Sequence, residues 1–339
     1  MSAPAISVVM PVYNGEDYIL DSVASILQQS LTDWELLAIN DGSQDQTPAI
    51  LDWFGLQDSR IRVIHQNNTG LVGALNRGFE LAKAPLVLRM DHDDLALPNR
   101  MATQLQFMDQ NPDCVVCGGA IMEMDADGEL LGESVLPQDH EAIVENLLTR
   151  RTGHFHPTTL IRKSAFERTL GYQEKYRHIE DHDLWLQLSE VGELANLSDV
   201  TLCYRLHEQS VCWRQADFRR EQMNSLMDAT YQRLGLEPVE GAILEKTIQR
   251  HSAGPGKWAR AAAKRGKSRA ATKHLRRLRA SDAEFAYKLR MTIETNLRLL
   301  TAQAKQLIKR ENSSNAIAEA PGFPDWQARW QSRNQKKAA

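Results

Sequence analysis

The feature that most constrains this chain is the regular alternation of strand-like and helix-like segments through its first hundred residues. A β-branched run, ISVVMPVY, gives way to EDYILDSVASILQQS, where Ile19, Val23, Ile26 and Leu27 recur at helical spacing. WELLAIND, DQTPAILDWFGLQ, IRVIHQ, GLVGALNRGFELAK and PLVLRMD continue the same order with short connections. Parallel strands need helix-sized crossovers, so the pattern predicts an α/β fold with a Rossmann-like, mostly parallel sheet sandwiched by helices. Ligands of such sheets sit outside the carboxyl ends of the strands. Polar residues gather there: Tyr13, Asn14 and Glu16 after the first strand, Asn40, Asp41 and Ser43 after the second, Asn67 and Asn68 after the third. The fourth strand runs into Asp91, His92, Asp93 and Asp94. Carboxylates crowded on one strand tip repel each other, and a bound divalent cation with its preference for oxygen ligands is one remedy. A solvated turn is the other.

Past residue 100 the alternation becomes irregular. CVVCGGAIMEMD and GELLGESVLP read as a hairpin turning at Asp127 and Gly128 in a type I′ turn. HEAIVENLLTR is helical, HPTTLIRKSAFERTLG starts extended and turns helical, and HIEDHDLWLQLSEVG is a helix whose acidic first turn suits the dipole. ANLSDVTLCYRLH closes the domain as a strand. The expected organisation is a domain over residues 1–215, a basic helical region over 216–310 with a break at the GPG of 254–256, and a loosely held tail over 311–339.

Composition excludes several classes. With 42% hydrophobic and 25% charged residues the chain reads as soluble, and it holds no apolar run of membrane-spanning length. The N-terminus lacks the basic region and long apolar core of a signal peptide, which predicts a cytoplasmic protein. Cys114 and Cys117 lie in a strand-like run and Cys203 and Cys212 are spaced too widely for a zinc pair, so reduced thiols are expected. The net charge of −4 hides an asymmetry: residues 246–310 carry eighteen Lys/Arg against three Asp/Glu, a net of +15, which leaves −19 on the remainder. An acidic body of this kind predicts no specific nucleic-acid partner.

Neither G-x-G-x-x-G nor G-x-x-x-x-G-K-[ST] follows the first strand, so a dinucleotide or ATP cradle is not expected. Singly, NDGSQDQT and PVYNGEDY read as turns with helix caps. In order, however, SVVMPVYNGEDYILDSVASILQQS, WELLAINDGSQDQT, NNTGLVGALNRGFELAKAPLVLRMDHDD, EDHDLWLQL and YRLHEQSV resemble the family 2 nucleotide-sugar glycosyltransferases, whose fold is called GT-A. The resemblance spans roughly residues 5–212. It implies a nucleotide-sugar pocket involving Pro11, Tyr13, Asn14, Glu16, Asn68 and Asn76, with Asp41 on the base and Asp91 near the ribose. His92 stands where the family often has a small residue; it is read as pointing away, yet kept in the nucleotide-sugar set. Asp93 and His207 are the expected holders of Mn²⁺ or Mg²⁺ on the diphosphate.

Sugar transfer with inversion also needs a base for the acceptor hydroxyl and a stabiliser for the departing diphosphate. Asp181 matches the family's base position, and Glu180 beside it is expected to orient the aspartate or bind acceptor hydroxyls. Read without the resemblance, the same carboxylates merely favour a helix N-terminus. His156 matches a position near the acceptor, and Arg162 with Lys163 is a candidate for an acceptor phosphate. The Q-x-x-R-W of processive synthases is missing, VCWRQ resembling only part of it, and the family's frequent R-N is inverted to Asn76 and Arg77. Addition of a single sugar, with UDP as nucleotide and a glycan or lipid-linked glycan as acceptor, is therefore expected.

Residues 257–279 can serve as a peripheral contact with an anionic inner membrane face, or pack on the acidic body of their own chain. Two rival functions fit parts of the sequence. A sugar-nucleotide-forming nucleotidyltransferase shares the architecture, but its triphosphate loop needs basic residues that PVYNGEDY does not have. A non-catalytic membrane- or RNA-binding adaptor would leave no reason for carboxylates at Asp41, Asp93 and Asp181 together with His207.

Overall fold

The computed structural model describes residues 3–207 and 216–237, together with Ala259, Ala262, Ala263, Ala271 and residues 273–275. The tail over 311–339, Cys212 and the GPG break lie outside these residues. The expected alternation is present. Strands β1 (Ile6–Val12), β2 (Trp34–Asp41), β3 (Ile61–Gln66) and β4 (Leu86–Arg89) are separated by helices α1 (Ile19–Leu27), α2 (Thr47–Gln57) and α3 (Gly70–Leu81). β1 lies between β2 and β4, β3 lies outside β2, and all these pairings are parallel. β1 and β2 are buried along their whole length, which is why they read as unbroken apolar runs, whereas β3 on the edge carries partly exposed Arg62 and exposed His65.

The second half continues the sheet with changes of direction. β5 (Leu95–Ala96), α4 (Arg100–Gln110), β6 (Cys114–Asp125), β7 (Leu130–Ser134), α5 (His140–Leu148), β8 (Leu160–Arg162), α6 (Lys163–Phe166), α7 (Glu180–Ser189) and β9 (Glu193–Leu206) follow in order. The described strands run β3-β2-β1-β4-β8-β6-β9-β5, with β7 on β6. β8 is antiparallel to β4 and β6, β9 is parallel to β6, and short β5 is antiparallel to β9.

Two core clusters correspond to the two faces of this sheet. Val8 and Met10 join α1, α2 and α4 through residues such as Val23, Phe54 and Met101. Val9, between them, points the other way with Leu37, Ile39 and Val87 into a cluster that includes Phe79, Leu147 and Trp185. Helix α8 (Ala216–Leu234) adds Met223, Leu226, Met227 and Tyr231 to this second cluster, and the Tyr231 hydroxyl donates to Leu148 O at 2.5 Å. Cys114, Cys117 and Cys203 are free, buried thiols, as expected.

The hairpin turn differs from the expected type I′. Only Gly128 is left-handed, with φ of 82°; Asp127 is not. The Asp125 carboxylate explains the difference, since its Oδ1 accepts from the Asp127 and Glu129 amides at 3.0 and 2.9 Å and closes an Asx-type turn.

Close approach of α3 to β1 depends on Gly78, where an added Cβ would stand 2.3 Å from Val9 Cγ1. Gly78→Ala is expected to destabilise the chain by about 1–3 kcal/mol through overpacking, against a helix-propensity gain of about 1 kcal/mol. A lowered denaturant midpoint with unchanged slope checks this; a raised midpoint would show that Val9 gives way freely.

Candidate active site

Loops after β1, β2 and β3 meet at the carboxyl end of the parallel strands. Asn14, with a left-handed φ of 49°, receives the Gln44 amide on its Oδ1 at 2.9 Å, and its own amide donates to Ser43 Oγ. Glu16 accepts from the Gln46 amide, while the Gly15 amide donates to Thr47 Oγ1 at 2.8 Å. Asn14 and Glu16 therefore brace one loop on the next, and Tyr13, 48% exposed, is left at the surface. Asp41 is buried and caps α3: Thr69 and Gly70 amides donate to its two oxygens at 2.8 Å each, and Gln66 Nε2 adds a third bond. Asn68 is exposed beside Gly42, where a Cβ would come within 2.9 Å of the Asn68 nitrogen. Asn76 lies deeper and binds the Tyr172 backbone at both ends, Nδ2 to O at 2.8 Å and N to Oδ1 at 3.1 Å.

The acidic segment after β4 is held from both sides. On one side are α1 and the residues just past it: Ser22 Oγ lies 2.7 and 2.5 Å from the carbonyl oxygens of His92 and Asp94, Ser25 accepts the Ala96 amide, and Gln29 donates to Leu97 O. The His92 ring tucks beneath the first loop, where only glycine fits, since a Cβ on Gly15 would sit 2.5 Å from it. From the other side comes β9. The Arg205 amide donates to Asp94 Oδ1, its Nε to Asp93 O at 2.7 Å, and its guanidinium stacks on the Tyr18 ring. His207 Nε2 meets Asp93 Oδ2 at 2.7 Å. Within β4 itself, Arg89 is 2% exposed and donates from NH1 to Asp91 Oδ2 at 2.6 Å.

Carboxylate oxygens of Asp91, Asp93 and Asp94 lie within 4.8 Å of one another. Burial raises Asp91, with Arg89 opposing, whereas hydrogen bonding from His207 and nearby cationic groups outweigh burial at Asp93 and hold it low. Asp94 is pushed well above the usual carboxylate range by burial and by its two acidic neighbours, and its Oδ2 is buried without a hydrogen-bond partner. Hard oxygen donors with one imidazole beside them fit Mg²⁺ or Mn²⁺, with Asp93 and His207 as the residues that would hold it.

A second polar group also lies within the field of Arg89. Tyr172 and His156 are buried, and the His156 Nε2 faces the Tyr172 hydroxyl at 2.9 Å. Burial and the Arg89 charge keep His156 well below its ordinary pKa, so it is a neutral imidazole. Glu180 and Asp181 open α7; burial, then the Asp181 charge, push Glu180 up to about 7, with Arg89 opposing. Asp183 is not at this site, because its Oδ2 accepts from Gln173 and Gln187.

The structure thus brings Asp91, Asp93, His207, His156, Glu180 and Asp181 to one end of the sheet. Arg162 is not brought there. Its register opposite Leu86 puts it at the start of β4, where its guanidinium donates to Cys114 O and Met108 O, and neighbouring Lys163 binds Ala82 O. Sequence reading missed Ser22, Arg89, Tyr172 and Arg205. For the two arginines a signal existed: a cation inside an apolar strand, as in LVLRM and LCYRL, requires a buried partner.

Glu180 yields a pH prediction. Its folded pKa is about 7 against an ordinary 4.5. The folded state therefore holds the proton more tightly, and the stability this confers is complete below pH ~4.5 and lost as pH rises through ~7. Glu180→Gln should raise the melting temperature relative to wild type more at pH 8 than at pH 5; an equal difference at both would contradict the raised pKa.

Known proteins resemble this chain in sequence and in fold. The profile described as glycosyl transferase family 2 matches residues 7–170. The O-antigen biosynthesis glycosyltransferase WbnJ of Escherichia coli is 32% identical over 209 residues, which are 60% of this chain and 81% of that protein. Staphylococcus aureus TarS 1-349, solved with UDP-GlcNAc, superposes with a TM-score of 0.53 at 17% identity, covering 94% of this chain and 95% of that one. The mannosyltransferase PcManGT from Pyrobaculum calidifontis, solved with GDP-Man and Mn²⁺, gives 0.52 at 15% identity over 91% and 88%. With the fold, the ordered motifs and this coverage in agreement, the chain belongs to glycosyl transferase family 2 and is a glycosyltransferase of the GT-A fold.

Proposed function

We propose that this glycosyltransferase moves one sugar from a nucleoside-diphosphate donor, a UDP-sugar, to a hydroxyl of a surface or lipid-linked glycan, with inversion. The observation that carries the reading is the convergence of three carboxylates within 4.8 Å at the tip of β4, with Glu180 and Asp181 opening α7. The first group suits a metal-bound diphosphate, and the second suits an acceptor hydroxyl that must lose a proton. The solved complexes of TarS with UDP-GlcNAc and of PcManGT with GDP-Man and Mn²⁺ support a nucleotide-sugar donor. The O-antigen role of WbnJ supports a glycan acceptor.

In this reading the exposed Tyr13 ring offers a stacking face for the base at the pocket mouth. Pro11, Asn14, Glu16 and Asn68 shape that pocket, Asn14 and Glu16 by bracing its loops, and Asp91 receives the ribose. Asp41 acts on the base side by fixing the loop ahead of α3. Asp181 accepts the acceptor proton; the acceptor oxygen then bonds to the anomeric carbon as the bond to the diphosphate breaks, and the diphosphate leaves. Asp93 and His207 would hold Mn²⁺ or Mg²⁺, which when bound would supply charge neutralisation for that leaving group. Glu180 positions Asp181 or the acceptor, and His156 with Tyr172 forms a neutral, hydrogen-bonded wall beside it.

No helix among the described residues is long and apolar enough to cross a membrane. A cytoplasmic enzyme touching an anionic inner membrane face through residues 257–279 fits their charge, although Lys273 in that segment is committed to Asp125 and Asp127.

Asp93→Asn should abolish metal-dependent UDP binding. Asp181→Asn should bind UDP like wild type and lose transfer by about 10²-fold or more. Binding calorimetry alongside a radiolabelled donor assay checks both, and equal loss of UDP affinity in the two variants would remove Asp181 as the base.

A further inference from the structure

The β6–β7 turn is the second anchor of Arg205, and Lys273 and His274 grip that turn. Arg205 NH1 donates to Ala126 O at 3.2 Å, while its amide and Nε hold Asp94 and Asp93. Ala126 is flanked by two carboxylates that share one cation: Lys273 Nζ lies 2.5 Å from Asp125 Oδ2 and 2.7 Å from Asp127 Oδ2. His274 Nε2 adds a contact to Asp125 Oδ2 at 3.0 Å, and the Asp125 side chain is fully buried. Ala262, Ala263 and Ala271 pack on Leu131 of β7, with Leu206 against the same cluster. Leu206 separates Arg205 from His207 in sequence.

We infer that Lys273 is a positioning residue for the nucleotide-diphosphate end of the site, acting through the Asp125–Asp127 turn and Arg205 on the backbone of Asp93 and Asp94. The physical reason is charge. Without Lys273, two carboxylates two positions apart repel across a turn that is then closed only by backbone amides on Asp125, and Ala126 O is held less firmly where Arg205 reaches it. Arg205 is 1% exposed and already buries its NH2 without a partner, so losing the Ala126 acceptor as well costs a second unmet donor and favours a shift of its bonds to the acidic segment. Outer partners of metal-holding groups are commonly worth about 10–100-fold in affinity, and Lys273, which reaches Asp93 only through the Asp125–Asp127 turn and Arg205, belongs at the low end of that range.

The inference rests on the nucleotide reading of the same site, and its test separates the two. In the full-length chain, UDP binding is measured with Mn²⁺ and with EDTA for wild type, Lys273→Met, Lys273→Arg and Lys83→Met, an exposed lysine outside the site. Hydrogen–deuterium exchange of the ligand-free proteins is followed over residues 92–97 and 203–207. Lys273→Met should weaken Mn²⁺-dependent UDP binding by up to about tenfold and speed exchange in both segments. Lys273→Arg should restore both, and Lys83→Met should match wild type. If Lys273→Met loses thermal stability alone, with wild-type binding and wild-type exchange over 92–97, the residue is a mere fastening and the inference is overturned. If wild type itself binds no UDP, the nucleotide reading fails, and unchanged exchange over 92–97 in Lys273→Met still decides against the clamp.

Discussion

Three carboxylates on one strand tip are the constraint around which this structure is arranged. A like-charge pair ~4 Å apart costs about 1 kcal/mol in water and about 4 kcal/mol at the lower effective dielectric near a protein surface. Asp91, Asp93 and Asp94 carry oxygens within 4.8 Å of each other, so Asp94 is held well above the usual carboxylate range and the charge that remains is met by buried polar and cationic groups. Arg89 arrives from the same strand. Arg205 and His207 arrive from the far end of β9, more than a hundred residues away in sequence, because β5 begins directly after the acidic segment and pairs antiparallel with β9, Leu95 against Cys203. Two residues beyond that pair in each direction stand Asp93 and Arg205. The shortest strand in the sheet thus sets the register of the site.

A second consequence concerns rigidity. The polar side chains of α1, Ser22 and Ser25, with Gln29 just past its end, form a row that takes up backbone groups from His92 to Leu97. The apolar stripe of the same helix, Ile19, Val23 and Ile26, packs into the sheet beside it. One helix therefore couples core packing to the position of the acidic segment. Charge-bearing groups held this firmly need little reorganisation when a charged ligand arrives, the condition under which electrostatic stabilisation is most effective.

Much of this was legible in the sequence. Helix and strand periods in the first hundred residues are strong because β1 and β2 are buried on both faces and α1 and α3 are amphipathic. Strand direction in the second half was not legible, since β8 is three residues long and β5 two, too short for any period to register. Asp93, Asp181 and His207 were singled out because the motifs that hold them carry the resemblance, and the fold brings them to the same end of the sheet. Arg162 was misplaced for the same shortness: three strand residues carry the chain from His156 at the carboxyl end of β4 to the opposite end of that strand. Tyr172 and Ser22 gave no local signal, as a tyrosine after glycine and a serine within a helix are ordinary residues, and only the fold directs them at His156 and the acidic segment.

The central claim is that the β4 tip holds the metal-bound diphosphate. Anomalous scattering from Mn²⁺ in a crystal grown with UDP tests it most directly. The account predicts one strong peak at coordination distance from Asp93 and His207, with the UDP phosphates on its open side. A peak elsewhere, or UDP bound at the opposite end of the strands near Arg162, would contradict it.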